Sequence, residues 1–501
     1  MSKKKSIPGP ITILMFVIIL AAIGTWLLPA GQYDRLGISA DKQHFILTAS
    51  AKEIKLPFTQ KTLDSLQILI PLKKFATGEI RKAVSVPNTY HPLPKNPQGF
   101  LSILQAPIKG IVESIDIALF VLIIGGFMYV FNETGAMMRG ISALSHAMRG
   151  KESRLIVILT LIFSFLASSY GMAEETFVFY PLIVPIFIAA GYDLLVPLAI
   201  IYGGICIGNM SNFSNPFSVI IASNAAGINW MDGLSQRLLM YVITNTIFIW
   251  YLLRYAAKVK NDPTRSLVYQ IDGNVLPVFE VDLEKIEKVE KLDFKTKLLL
   301  GVYIASFLTL IIGVVFLDWW TLEMSTLFLG ASIVVALIVR MEEKKFISEF
   351  IKGCESLLSV AFIIGVARGV TIILNEGNIS DSILFYGAHL MQGVSPVVFI
   401  ILLLCFYIVF SIFIQSSSGM AVLTMPIIGA LAIIVNIPGR EIVNSYIYGM
   451  GIMGFVAPTG LILPSLALLN ISFKTWIKFI TPIIIVLIAL CTVFLMVGIY
   501  L

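Results

Sequence analysis

Two carboxylates and a hydroxyl, Glu174-Glu175-Thr176, stand inside FLASSYGMAEETFVFYPLIVP (165–185), with apolar stretches on either side. A second apolar run, VFSIFIQSSSGMAVLTMP (409–426), is broken by Ser416, Ser417, Ser418 and Gly419. Two further runs carry prolines among amides and hydroxyls. GGICIGNMSNFSNPFS begins at Gly203 and holds Asn209, Ser211, Asn212, Ser214 and Asn215, and GMGIMGFVAPTGLILPS begins at Gly449 and holds Pro458, Thr459 and Gly460. Proline removes a backbone donor and crowds the preceding turn, so it frees carbonyls. Carbonyls and amides together suit a cation; the freed N–H groups at a half-helix start suit a carboxylate. A carboxylate flanked by apolar sequence is costly and is kept where it works: it balances a cationic group or carries a proton. The candidate substrate contacts are therefore Glu174, Glu175, Thr176, Asn212, Asn215, Ser416, Ser417, Ser418, Gly419 and Thr459. The candidate cation ligands are Asn209, Ser211, Ser214, Pro458 and Gly460.

The surrounding elements must hold these residues at membrane depth. Of 501 residues 57% are hydrophobic and 13% charged, and mean hydropathy is +0.90. A soluble chain carries about a quarter charged residues. Apolar runs of roughly 20 residues, enough to cross a bilayer, recur from Ile11 onward. The first run, Ile11 to Pro29, is too long for a signal-peptide core and reads as an uncleaved helix with Lys3, Lys4 and Lys5 in the cytoplasm. The net charge of +6 lies in tail, loops and membrane edges without a basic stripe, which excludes a nucleic-acid surface and fits membrane topology. Cys206, Cys354, Cys405 and Cys491 are scattered in apolar sequence with no metal or disulfide spacing. No Walker motif points to ATP.

The segments repeat. KGIVESIDIALFVLIIGGFMYVFNETG starts at Lys109 and KGCESLLSVAFIIGVARGVTIILNEGN at Lys352, 243 residues later. The same offset places Asn132-Glu133 on Asn375-Glu376, His146 on His389, Ser168 on Ser411, Gly208 on Gly451 and Met210 on Met453. Arg139, Arg149, Lys151 and Arg154 follow the first copy's opening helix, whereas 376–393 has no Lys or Arg, so equivalent loops face opposite sides and the repeat is inverted. Lys474 and Lys478 give the second copy's late loop a cytoplasmic face, against the single Arg237 near Trp230. The expected architecture is an all-α polytopic membrane protein of two inverted repeats, each with a re-entrant hairpin and a broken helix. Residues 1–99 hold the first helix and a small external cap of short strands, for example His44 to Leu47. Residues 100–258 form repeat 1, with a hairpin near 155–190. Residues 259–345 form a cytoplasmic linker, with an amphipathic piece at Val281 to Val289, and two spans (Leu298 to Leu317, Leu322 to Val339). Residues 346–501 form repeat 2, with a hairpin near 396–435. Inverted repeats with paired helix breaks point to secondary transport of a small molecule through the bilayer. Arg368, mid-run where copy 1 has Gly125, must face the interior, snorkel or form an ion pair; Asp116, Glu133 and Glu376 read as membrane-edge charges. An intramembrane serine hydrolase using Ser416–Ser418 with His389, and a channel, are the competing readings; no GxSG motif supports the first and no continuous polar pore the second.

TWLLPAGQYDR, VPNTYHPLPKNPQGF, GMAEETFVFYPLIVPIFIAAGYD, NPF at Asn215 and QSSSGMAVLTMP resemble the YfcC-type branch of the anaerobic dicarboxylate carrier family, within the ion-transporter superfamily, over nearly the whole chain. The resemblance implies an elevator-type homodimer in the bacterial inner membrane, with a fixed scaffold and a mobile domain carrying hairpins and broken helices. It implies no enzyme activity and no cofactor, with Na⁺, H⁺ or counter-substrate coupling all open. Family names point to four-carbon dicarboxylates and also to arginine/ornithine-type exchange. Two adjacent carboxylates at one tip repel a dicarboxylate and favour the second.

Overall fold

The computed structural model describes residues 10–39, 43–49, 52–76, 80, 83–137, 139–140, 143, 151–169, 171–268, 292–317, 319, 321–391, 393–435 and 437–500. Lys3 to Lys5, His146, Arg149 and the expected amphipathic piece at 281–289 lie outside them. Among the described residues, seven helices are long and apolar enough to cross a membrane, and the chain is mostly helical. The first, α1 (Pro10–Leu27), turns Leu14, Ile18 and Ala21 inward and leaves Phe16, Ile23 and Trp26 exposed. Such outward apolar residues are expected where lipid is the solvent.

The cap departs from an all-α chain. Strands β1 (Gly31–Gln32), β2 (Arg35–Ile38), β3 (His44–Ala49), β4 (Lys52–Pro57), β5 (Val84–Ser85) and β6 (His91–Pro92) form an antiparallel sheet of order β4-β3-β2-β5 and a β1-β6 pair. Helices α2 (Gln60–Ser65, capped by Thr59) and α3 (Leu72–Ala76) complete it. Phe45 packs against Phe58 and Phe75 at 4.7 and 5.2 Å between ring centroids. The edge strand β4 carries Lys52, Glu53 and Lys55, which discourages pairing with another chain.

Helices α4 (Phe100–Glu113) and α5 (Ile115–Glu133) precede the first hairpin, formed by α6 (Glu152–Ser169) and α7 (Tyr180–Ala189). The chain then runs through α8 (Leu195–Met210), a break, α9 (Ile221–Ala225) and α10 (Leu234–Asn261). Two spans, α11 (Phe294–Phe316) and α12 (Thr321–Val339), lead to α13 (Glu343–Glu376) and α14 (Ser380–Leu390). The second hairpin is α15 (Pro396–Phe410) and α16 (Ser417–Ile434), followed by α17 (Gly439–Gly454), α18 (Ile462–Leu468) and α19 (Phe473–Gly498). Boundaries recur at the spacing of the sequence repeat. Helices α5 and α13 end on the matched Glu133 and Glu376, structure resumes after the hairpin break at the matched Glu174 and Ser417, and α9 and α18 end on the matched Ala225 and Leu468.

Close glycine contacts set how α4 and α5 cross α13. A Cβ on Gly110 would strike the backbone of Gly365 and Gly369, and one on Gly353 would strike that of Gly125. Small residues let helix backbones touch in this way. Moving forward from Gly110 to Gly125, the partner moves backward from Gly369 to Gly353, so the helices run antiparallel. The ends of this crossing are tied by ion pairs, Lys109–Glu376 at 2.6 Å and Lys345–Glu133 at 2.5 Å. Glu376 and Glu133 are thus both paired residues, and Asp116 accepts a hydrogen bond from Thr321 at 3.0 Å. The cap is fastened to α14. Arg35 grips Asp381 with one nitrogen at 2.7 and 2.9 Å, Tyr33 N donates to Asp381 at 2.9 Å, and Tyr90 stacks on Phe385 at 4.0 Å.

Candidate functional site

In each expected hairpin the helix breaks where its sequence turns polar. In the first, Phe163 meets Phe179 edge to face at 5.2 Å across the break. In the second, Tyr407 bonds Thr424 at 3.0 Å and Ser411 Oγ donates to Met420 Sδ at 3.8 Å. Gly171 at the first break has φ +92, a conformation that L side chains rarely adopt, and a Cβ there would also overlap the Asn215 amide. The chain resumes as a 3₁₀ turn, Glu174–Phe179.

The broken helix is pinned to the hairpin break by side chains from both. Ser168 Oγ donates to Ser211 O at 3.0 Å and accepts from Phe213 N at 3.1 Å. Ser214 donates to Ser168 O through its backbone N at 3.2 Å and to Ser169 O through its hydroxyl at 3.2 Å. Asn215 reaches back to Ala167 O at 3.2 Å and caps the π-turn Pro216–Ile220 by accepting from Phe217 N at 2.8 Å. Asn212 bonds Ser218 and accepts from Asn215 N at 3.2 Å. The Ser211 hydroxyl returns to Ile207 O at 2.6 Å. The polar side chains near Asn215 therefore hold the two breaks together in this conformation. Asn209 is half-buried on the last turn of α8.

The second copy makes the same kind of tie with fewer groups. Thr459 Oγ1 donates to Ile412 O at 2.6 Å, and Gly460 packs beside the Gln415 side chain, which itself bonds Ser411 O. Ser416 starts the second limb, its hydroxyl accepting from Gly419 N at 3.3 Å and its carbonyl from Met420 N at 2.9 Å. Tyr446 of α17 donates to Ser417 O at 2.7 Å. Ser416, Ser417, Ser418, Gly419, Pro458, Thr459 and Gly460 are all half-buried.

Glu175 is 5% exposed and Thr176 3%. The Glu175 carboxylate accepts from Ala173 N at 2.9 Å, and Thr176 donates to Ala173 O at 2.5 Å. Neither Glu174 nor Glu175 forms an ion pair among the described residues. Arg368 of α13 and Asp116 of α5 are among the charges acting on Glu174, which in turn bears on its neighbour Glu175. Arg368 resolves as a half-exposed side chain whose Nε lies 3.3 Å from Glu113. The first copy's cluster and the second's lie on adjacent elements. They meet through packing, with α16 against the π-turn and α9, and through Tyr202, whose hydroxyl donates to Gly454 O at 2.5 Å. His389 stacks on Phe385 with ring planes 9° apart. The described residues contain no group of three or more His, Cys, Asp and Glu placed to hold a metal.

Sequence reading missed a second polar cluster. Arg237, counted as a loop charge, lies in the first turn of α10 at 0% exposure, bonding Asp232 O at 3.2 Å, Asn444 Oδ1 at 3.3 Å and Trp230 O. Glu441 is equally buried and takes Arg440 at 3.2 Å and Gln236 at 3.2 Å. The available signal was an arginine and a glutamate each one turn from an apolar run.

The family model described as "DcuC: C4-dicarboxylate anaerobic carrier" matches residues 7–500. An uncharacterized protein of Haemophilus influenzae is 36% identical over 487 residues, covering 96% of each chain. A protein of Escherichia coli described as "Putative basic amino acid antiporter YfcC" is 26% identical, covering 95% of this chain and 93% of its own. Among solved structures, MtrF of Neisseria gonorrhoeae, described within a class of antimetabolite efflux pumps, aligns over 99% of this chain and 96% of its own at 15% identity and TM-score 0.41. The YdaH transporter of Alcanivorax borkumensis aligns over 98% of both chains at 12% identity and TM-score 0.40. The chain belongs to the C4-dicarboxylate anaerobic carrier family of membrane transporters.

Proposed function

We propose that the chain is an elevator-type secondary transporter of a small amino acid, working as a basic amino-acid exchanger in the bacterial inner membrane. The observation that carries the substrate class is the unmatched pair Glu174-Glu175. Glu175 is buried with only backbone N–H groups on its carboxylate, and neither glutamate has a basic partner within ion-pair distance among the described residues. A substrate ammonium or guanidinium supplies the missing charge, and the half-helix starting at Ser417 offers N–H groups to its carboxylate. The name of the E. coli relative agrees with this reading. The family description favours the second reading, a cation-coupled four-carbon dicarboxylate carrier; there, bound Na⁺ or H⁺ neutralises one of the glutamates.

The glycine crossing supports an inverted repeat. Gly110 and Gly353 are equivalent by the offset, as are Gly125 and Arg368. Exchanging the copies therefore maps the contact of Gly110 with Gly365–Gly369 onto that of Gly353 with Gly125. Such a self-complementary contact between antiparallel helices has its two-fold axis perpendicular to both, which for spanning helices lies in the membrane plane. Helices α8 and α17 give the same relation, with Gly451 against Met210 and Gly454 near Cys206. In this reading each hairpin enters and leaves by one face, α4, α5, α11, α12 and α13 form the scaffold of a homodimer, and the N-terminus is cytoplasmic.

Proteoliposomes preloaded with arginine, ornithine, malate or fumarate, with and without Na⁺ or pH gradients, test the assignment. Counterflow of labelled arginine is the expected result. Uptake of malate or fumarate with none of arginine or ornithine overturns it in favour of the dicarboxylate reading.

A further inference from the structure

A cluster of basic side chains outside the hairpins lines a cavity of about 370 Å³ where α5, α11, α12 and α13 end together. Its charged walls are Arg139, Lys295, Arg340 and Lys345, with Glu133 and Glu342. Lys345 and Glu133 satisfy each other at 2.5 Å. The nearby Asp293 carboxylate is within charge range of Arg139 but caps α11, accepting from Thr296 N at 3.0 Å. Arg139, Lys295 and Arg340 remain against Glu342 and that capping carboxylate, a basic excess. Arg139 spends one terminal nitrogen on Thr134 O at 3.3 Å, while its Nε is shielded from solvent and has no partner.

Two further features suit an anion. Helix α13 is 34 residues long, and Glu342 before it makes no side-chain cap, so its leading N–H groups are left open beside the cavity. Arg340 has φ +57, a left-handed turn that ends α12 and sets its guanidinium on the cavity wall. The apolar surface below is exposed: Phe294 is 82% accessible, Leu337 70% and Leu298 44%. These residues neighbour the lining residues Lys295, Val339 and Leu299 along their helices.

We propose that this cavity binds a phosphate-bearing anion, and that its occupant is the phosphodiester headgroup of an anionic glycerophospholipid, with acyl chains along α11 and α12. Basic pockets between membrane helices have the chemistry to hold such headgroups, and Lys297 and Lys344 add positive charge nearby in sequence. None of the hairpin or broken-helix residues lines it, so the site stands apart from the transport reading and is tested without transport.

The test uses the full chain in neutral detergent, titrated with dihexanoyl-phosphatidylglycerol, dihexanoyl-phosphatidylcholine or inorganic phosphate and read by native mass spectrometry. The wild type is compared with Lys295→Gln/Arg340→Asn. Both positions are exposed, and asparagine tolerates the left-handed turn, so folding is expected to survive; an unchanged melting temperature verifies it. The expected result is binding of phosphatidylglycerol over phosphatidylcholine, weakened at least about tenfold in the variant. Inorganic phosphate binding as tightly as phosphatidylglycerol, and lost in the variant, retains the phosphate site and overturns the lipid occupant. Equal binding of both lipids, or a variant indistinguishable from wild type, overturns the proposal.

Discussion

Replacing Gly353 by alanine tests the antiparallel crossing that frames both copies. The new methyl meets the Gly125 carbonyl and the Gly126 backbone, not a movable side chain. Carbon contacts relax near 3.5–4.0 Å, so α5 and α13 must separate by on the order of 1 Å. Such overpacking costs about 1–3 kcal/mol, against a gain of about 0.5–1 kcal/mol from placing alanine in a helix. The net expectation is a loss of about 1–2 kcal/mol. Gly110→Ala should lose a similar amount, because its methyl meets the Gly365 carbonyl and Gly369 nitrogen. Gly301→Ala and Gly330→Ala are the controls: they lie in α11 and α12 with nothing within 4 Å of a Cβ, and they should be neutral or gain up to about 1 kcal/mol. Unfolding of the purified protein in one detergent, followed by tryptophan fluorescence, reads the ranking, with shifts on the order of 1 °C per kcal/mol for a cooperative unit of this size. Controls that destabilise as much as Gly353→Ala, or a Gly110→Ala variant that behaves like the controls, would refute the two-fold crossing.

Glu175→Gln should fold normally and slow exchange of a basic amino acid by at least about tenfold, as expected for losing a buried charge partner of a cation; full exchange would remove Glu175 from the site. Asn215→Ala removes both the π-turn cap and the bond to Ala167 O, and a stability loss of about 1–2 kcal/mol is expected in thermal unfolding, with Ser214→Ala costing less. Asp381→Ala strips three hydrogen bonds from the cap and leaves the Arg35 side chain without its carboxylate, bonded only to Ser85 among the described residues, at a joint where Asp381 is buried. Limited proteolysis should then cut between residues 31 and 98 much faster than in wild type, while unchanged cleavage would show that the remaining ties, such as the Tyr90–Phe385 stack and the bonds of Tyr90 to Ser382 and of Gly31 N to Asn378 O, suffice.

Elements governed by local composition were legible from the sequence. The runs Ile11–Pro29 and Leu322–Val339 foreshadow α1 and α12 to within a few residues, because twenty apolar residues in succession admit few conformations in lipid. The hairpin breaks were legible for the converse reason, since Ser168–Thr176 and Ser416–Gly419 are polar where apolar sequence surrounds them. What the polar residues bond to was not legible. Ser168 finds Ser211 and Phe213 more than forty residues away, and such partners depend on tertiary packing. The cap shows both sides: His44–Leu47 was expected as a strand and falls within β3, while the anchorage of Tyr33 and Arg35 on Asp381 spans about 350 residues of sequence.

In the inverted-repeat reading, the positions at which the copies differ are more informative than those at which they agree. Where copy 1 has Gly125, packed against Gly353, copy 2 has Arg368, whose side chain turns to Glu113. Where copy 2 has Ser417 and Ser418, copy 1 has Glu174 and Glu175. Two of these substitutions act on each other, for Arg368 and Asp116 are among the side-chain charges that bear on Glu174. Asp116 and Glu113 themselves stand where copy 2 has Ser359 and Ser356. Four charged groups by which the copies differ, Glu113, Asp116, Glu174 and Arg368, thus bear on one another at one boundary, between the first break and the α5–α13 crossing. A duplicated frame can keep its glycine contacts only while both copies retain them, which fixes the crossing and leaves the remaining positions free to diverge. Charge introduced at those free positions is costly in lipid unless it is paired or used. Arg368 is paired with Glu113; Glu175, with only backbone N–H groups on its carboxylate and no ion pair among the described residues, is in the proposed exchanger the group left for a substrate to complete.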